Sequence, residues 1–537
     1  MVKQLDRDQE LTSPQAEATG QHPAVQEFRP GDGLPTYQLP GDGLSMGASL
    51  GNGHCWITTK GRGDIETFFS TDLGCIVMGG MLVRYSGLGT SLLRGGDDTD
   101  GHDVYMQLRP KTPGTTLLHP AYQQHTFELE GQLQVRQTIF VPKMTHAQDC
   151  APAHPDRAVA YQRVEIANHS AERRSIRVYG FTQFRGDTQP DMQAHYDAAR
   201  GVLLAANASQ PNWVRVFGAT VPVSAYETST NAYQVYPLLR MKPLRNRTEA
   251  SGGYVMGSLQ VDLELAPGEQ REVTFVAGFS AHGEQAALDT FEAAREVDTA
   301  LRQTVAFYAQ TVKPAEVLTP DAIINSGALW AKVNMLRVMA DYPTGPAFTN
   351  DPSRSSAVVG RDAFWFVCGA DYLDEGFSCH LLRNFATRQD PMGKIMEFYH
   401  AVTGVGEDDD LNINDNTPLF ILAVNHHWRS TGHRGCLEEF YPAVVKAARY
   451  IVSQEDARGL VWCTATGEDV HGIIGWRNII PHYRISGAVT EVNAECAAAL
   501  RAAGHLAENL GHQEQAREFH AAAAQLTEAI NRHLLDQ

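Results

Sequence analysis

The chain has 537 residues, 43% of them hydrophobic, and carries 44 Lys+Arg against 62 Asp+Glu for a net charge of −18. At ~150 residues per domain this length holds two to four domains, and the apolar fraction excludes a largely disordered protein. The acidic balance repels phosphate backbones and anionic lipid, so neither nucleic acid nor a membrane is expected as a main partner; a neutral sugar is indifferent to it.

The first 35 residues are polar and unpatterned and read as a disordered leader without an apolar signal region. From residue 36 to 280 short alternating runs follow one another, among them HCWITTK, HTFELEG, LQVRQTIFV, AVAYQRVEIAN, SIRVYGFTQF, GSLQVDLEL and REVTFVAGF. Period-2 runs separated by turn residues predict an antiparallel β-sandwich, with Ala266-Pro267-Gly268-Glu269 as a turn between two strands. Residues 281–317 change to a helical period and read as a linker. Residues 318–537 are nearly all helical, with long polar loops. No run of about 18 apolar residues occurs, and a cytoplasmic location is the expectation. The eight cysteines form no CxxC and are irregularly spaced, which predicts reduced, buried thiols and neither a disulfide framework nor a zinc site.

Four loop segments of the helical part bring Arg, Asp, Glu and Trp to helix ends. In Gly360-Arg361-Asp362-Ala363-Phe364-Trp365, a donor fork and an acceptor stand side by side and suit adjacent sugar hydroxyls, with Trp365 for stacking. Taken alone, the segment reads better as an N-capping Asp with a solvated Arg. The acidic stretch 407–420 fails the calcium-loop template, since Ile413 replaces the required glycine and Leu419 the closing glutamate; it reads as a solvated loop capping a helix at Thr417-Pro418. The third segment, 467–478, holds Glu468, Asp469, Trp476, Arg477 and Asn478, and the fourth is Thr490-Glu491-Val492-Asn493-Ala494-Glu495. His426 and His427 are adjacent on one helix, so they project about 100° apart and share no metal face. Trp330, Trp428 and Trp462 are expected to pack between helices. Gly43-Leu44-Ser45-Met46-Gly47 matches a serine-hydrolase elbow, but the glycines after it deny the helix that an elbow needs.

Behind a β-sandwich, GRDAFW, NINDNTPLFILAVNHHWRSTG, GWRN and TEVNAECAAAL in this order resemble the six-hairpin (α/α) toroid glycosidases, of the glucoamylase and amylo-1,6-glucosidase (glycogen-debranching) type. The implied fold is multidomain β + α: an antiparallel β-sandwich followed by an incomplete (α/α)6 toroid, with about seven helices after residue 318 where the family has twelve. The implied activity is inverting hydrolysis of terminal α-glucosidic bonds in a glucan or oligosaccharide, without cofactor or metal. On this resemblance Arg361, Asp362, Trp365, Trp476, Arg477 and Asn478 would bind sugar, and Glu491 would be a catalytic carboxylate. Asn478 stands where the family has its general-acid aspartate, and an amide donates no such proton, so Glu468 or Asp469 is the expected substitute. A disaccharide phosphorylase of similar architecture, in which phosphate replaces the base, and a carbohydrate-binding homologue without turnover are the alternatives.

Overall fold

The computed structural model describes residues 26–28, 32–40, 49–59, 65–71, 83–88, 90–92, 114–129, 132–143, 158–184, 191–231, 244–253, 255–349, 356–407, 412–464 and 486–535. Its first half is antiparallel β-structure. An eleven-stranded sheet runs in spatial order through Gln26–Phe28, Thr36–Pro40, Thr115–His119, Tyr122–Leu129, Leu133–Phe140, Val159–Asn168, Gln270–Ser280, Gln210–Ala219, Val202–Asn207, Met192–Asp197 and Glu249–Ser251. A four-stranded sheet, with Val255–Leu265 paired to Arg174–Phe184 at its centre, faces it. The two layers meet closely: a Cβ on Gly180 would lie 2.4 Å from the ring of Phe275. Ala266 accepts a bond from the amide of Glu269 at 3.0 Å, and Gly268 has φ +75°, so the Ala-Pro-Gly-Glu turn forms where its residues call for it.

Helix α1 (Glu284–Ala293) explains why several strands are apolar on both faces. It lays Ala287, Leu288 and Phe291 on the outer side of the large sheet, against Val202, Val216 and Val276. Strands covered on both sides lose the alternation of a half-buried strand. Then come α2 (Val297–Thr311), α3 (Ala322–Val338), α4 (Gly360–Ala370), α5 (Glu375–Ala386), α6 (Asn416–Thr431), α7 (Arg434–Ser453), α8 (Thr490–Leu510) and α9 (Gln513–His533). Sharp stops at Gly432 (φ 66°) and Gly511 (φ 83°) turn α6 into α7 and α8 into α9 as hairpins. Helices α4, α6 and α8 pack side by side as an inner row, while α5, α7 and α9 lie outside it. Alternate members of antiparallel hairpins run parallel, so the inner row brings its N-termini to one end. Arg337 at the end of α3 ties the two halves together, donating to the carbonyls of His119 at 3.2 Å and Pro120 at 2.8 Å.

Three expectations change. The leader is shorter than 35 residues: Gln26–Phe28 pairs with Thr36–Pro40, and Leu34 is buried against the helical core. A short strand at a sheet edge needs little apolar pattern of its own, which is why composition hid it. The cysteines are not all unpaired, because Cys379 and Cys436 form a disulfide between α5 and α7; spacing of 57 residues gives no hint of helices that meet only through tertiary packing. Among the described residues Cys55, Cys368, Cys463 and Cys496 are free, as expected. Trp462 is 41% exposed under the Arg458 guanidinium rather than packed between helices. No helix among the described residues is long and apolar enough to cross a membrane. The Ser45 motif lies outside the described residues.

Candidate active site

The site forms where the inner helices begin. Gly360 opens α4, its amide donating to the carbonyl of Glu397 at 2.7 Å. A Cβ there would sit 2.7 Å from Oδ1 of Asn416, the first residue of α6, so only glycine lets the two helix starts approach this closely. One residue on, the Arg361 guanidinium is buried and forks onto the Asp415 carboxylate, through Nε to Oδ2 and through Nη2 to Oδ1 at 2.9 Å. Two of its five N–H donors are thereby committed to Asp415, and the fork ties the start of α4 to that of α6. Asp362 lies half-buried in the first turn of α4.

The segment 412–417 is not the solvated loop expected from its composition. Asn414, Asp415, Asn416 and Thr417 are all fully buried. Asn414 Oδ1 caps the Asn416 amide at 3.1 Å, and Thr417 Oγ1 accepts from the Ile395 amide at 3.1 Å. Asn412 Nδ2 reaches Gln454 Oε1 and the Trp462 carbonyl, each at 2.8 Å, and its Oδ1 takes the Thr464 amide at 2.7 Å. These backbone and side-chain partners offset part of the burial, while Asn414 Nδ2 and both polar side-chain atoms of Asn416 have no hydrogen-bond partner among the described residues.

Helix α8 supplies the remaining carboxylates. Asn493 clamps its first turn by accepting from Val461 N at 2.8 Å and donating to Val461 O and Val489 O, both at 2.9 Å. Glu491 and Glu495 stand four apart on this helix and share one face. Glu495 Oε2 is buried with no hydrogen-bond partner among the described residues. Burial, then the charges of Asp415 and Glu491, push its carboxyl up to about 8, with Arg361 pulling weakly the other way. Burial also raises Asp415 above the ordinary carboxylate range, against the pull of Arg361. The end of the inner row thus holds a carboxylic acid that stays protonated at neutral pH beside groups that carry charge. This is the arrangement general-acid chemistry needs.

Glu495, Asp415 and Glu397 were not singled out from sequence. The Glu-x-x-x-Glu spacing at the start of α8 was the available signal for Glu495; nothing in the sequence pairs Arg361 with a residue 54 positions away. Trp365 lies one turn down α4 from Arg361, 62% exposed, on a groove of about 620 Å³ between α4 and α6 with Tyr372, Leu419 and His426 on its walls. Glu468, Asp469, Trp476, Arg477 and Asn478 lie outside the described residues. The flanking Cys463 and Gly487 are paired through both backbone bonds, at 2.9 and 2.8 Å.

Residues 151–297 match the glycosyl hydrolase 94 supersandwich domain family. No curated protein matches the chain in sequence. Among solved structures, a protein assigned as a kojibiose phosphorylase from the human microbiome superposes with a TM-score of 0.59 at 10% identity, covering 94% of this chain and 70% of that one. A bacterial glucoamylase complexed with acarbose superposes with a TM-score of 0.56 at 13% identity, with the same coverages. The fold, a β-sandwich followed by helical hairpins, is thus shared with a kojibiose phosphorylase and a glucoamylase.

Proposed function

We propose that this chain cleaves terminal α-glucosidic bonds of a glucan or oligosaccharide, with Glu495 as the proton donor. The observation that carries the reading is the Glu495 carboxyl, whose Oε2 is buried without a partner among the described residues, held up to about 8 beside Glu491 and the Arg361–Asp415 pair. Cleavage through an oxocarbenium-like transition state needs a protonated acid at the leaving oxygen, and an inverting enzyme adds a second carboxylate ~6.5–9.5 Å away to activate water. Glu495 supplies that proton without calling on Asn478. Glu491, Asp362 and Trp365 are the proposed sugar contacts, with Arg361 fixing the helix starts from which they project. The glucoamylase and kojibiose phosphorylase that share the fold give the glucoside its place in this reading.

Water is the proposed acceptor, with phosphate as the alternative acceptor that the fold shared with a kojibiose phosphorylase admits. The test is incubation with maltooligosaccharides with and without inorganic phosphate. Free glucose in both, and a loss of at least about 100-fold in kcat for Glu495→Gln, is the expected result. Glucose phosphate formed only with phosphate replaces hydrolysis by phosphorolysis. Binding without turnover under either condition removes the enzymatic reading.

A further inference from the structure

We propose that Cys379, Cys436 and His427 form a binding site for a soft divalent cation of the zinc class, available when the Cys379–Cys436 disulfide is reduced. The three residues come from three helices: Cys379 from α5, His427 from the last turns of α6, and Cys436 from the first turn of α7. All are buried, and one ligand atom from each lies within 4.8 Å of the other two. Tetrahedral zinc with bonds of ~2.0–2.3 Å sets its ligand atoms roughly 3.5–3.8 Å apart, so small side-chain movements suffice.

The disulfide accounts for the two sulfurs and leaves the histidine unexplained. His427 Nδ1 lies 2.7 Å from Oδ1 of Asp371, a fully buried carboxylate whose Oδ2 engages His426 Nδ1 at 2.9 Å. A carboxylate at Nδ1 fixes the proton there and leaves Nε2 with an open lone pair. That is the tautomer and the outer support that metal-bound histidines have. Nε2 is buried and has no hydrogen-bond partner among the described residues. A buried acceptor is ordinarily satisfied, and a cation between the three side chains satisfies this one together with both sulfurs.

Arg383 Nη2 lies 3.4 Å from Cys379 Sγ while the same guanidinium forks onto the Glu439 carboxylate, and Cys436 sits in the first turn of α7. His433 is not a fourth ligand, because its Nδ1 caps α7 by accepting from the Cys436 amide at 3.1 Å. Three protein ligands leave one coordination place to water. Opening the site takes two electrons: an external dithiol cleaves the S–S bond by exchange, is itself oxidised to a disulfide, and leaves two thiols. Each thiol passes its proton to solvent as its sulfur binds the cation.

The experiment uses the full chain, reduced with a dithiol that is then removed anaerobically, and titrates it with Co²⁺ as a spectroscopic stand-in. One Co²⁺ per chain, a near-ultraviolet thiolate charge-transfer band and displacement by Zn²⁺ are expected. Zn²⁺ is also expected to raise the melting temperature of reduced protein only. Cys379→Ser/Cys436→Ser should remove the band, His427→Gln should weaken binding at least tenfold, and Asp371→Asn should weaken it about 10–100-fold. Absence of the band in the reduced wild-type chain overturns the proposal whatever the variants do. So does a band that survives Cys379→Ser/Cys436→Ser, which would assign it to another cysteine. Equal affinity in His427→Gln removes the histidine and with it the site.

Discussion

Glu495→Gln tests the heart of the site without needing a substrate. The gap between about 8 and the ordinary 4.5 corresponds, at ~1.36 kcal/mol per pH unit, to roughly 5 kcal/mol against the ionised form in the fold. Water entering from the open end of the helices lowers that figure, and ~2 kcal/mol is a working value. Between pH 4.5 and 8 the folded chain holds a proton that the unfolded chain has released. Stability contributed by this group is therefore fully present below 4.5, falls as pH rises through the window, and levels off above 8. Glutamine copies the shape of the neutral acid and cannot ionise. Urea midpoints of wild type and variant, measured from pH 4.5 to 9, should diverge with rising pH, the variant ending more stable by about 2 kcal/mol. A wild-type-minus-variant difference that is flat across this range means that Glu495 is not held protonated, and the acid assignment fails with it.

The other predictions concern the frame around that group. Arg361→Leu leaves the Asp415 carboxylate buried and unpaired and should cost about 3–5 kcal/mol by chemical denaturation, most of it recovered in the Arg361→Met/Asp415→Leu double variant. Gly360→Ala would gain up to ~1 kcal/mol in an ordinary helix. Here the Cβ meets Asn416 Oδ1 at 2.7 Å, so a loss of about 1–3 kcal/mol should appear in the same measurement. Arg337→Ala removes both bonds to the His119 and Pro120 carbonyls, and calorimetry should show a drop of roughly 2 kcal/mol with the single transition splitting in two.

The β half was legible because local rules suffice for it. Period-2 runs became strands, and the Ala266–Glu269 turn joins two of them. The helices after residue 318 were legible from their helical period, and the glycines that end two of them, Gly432 and Gly511, emerged with the structure. What the sequence hid depends on which helix starts meet. GRDAFW and NINDNTPLF were each noticed, but only the side-by-side packing of α4 and α6 turns Arg361 and Asp415 into one buried pair. The same packing converts an acidic stretch that reads as solvated into the buried run Asn414–Thr417. The Cys379–Cys436 link is equally nonlocal. His426 and His427, adjacent on one helix, nonetheless converge on Asp371, one at each carboxylate oxygen.

The two acidic residues of α8 show how one helix can separate two roles. Glu491 lies in the first turn, where unpaired backbone amides favour negative charge, and that influence fades within a turn. Glu495 lies one turn deeper, roughly 6 Å along the axis. At that depth its Oε2 is out of solvent and without a donor, while Asp415 and Glu491 add like charge. Burial alone would raise any carboxyl, and the neighbouring charges make its ionisation costlier still. The proton therefore stays on the deeper residue because of its place on the helix. Exchanging the roles would require moving the carboxyl by a turn, so a glutamate introduced at Val492 or Asn493, on other faces of the helix, should not rescue Glu495→Gln in the maltooligosaccharide assay. Rescue by either would show that position along α8 does not select the acid.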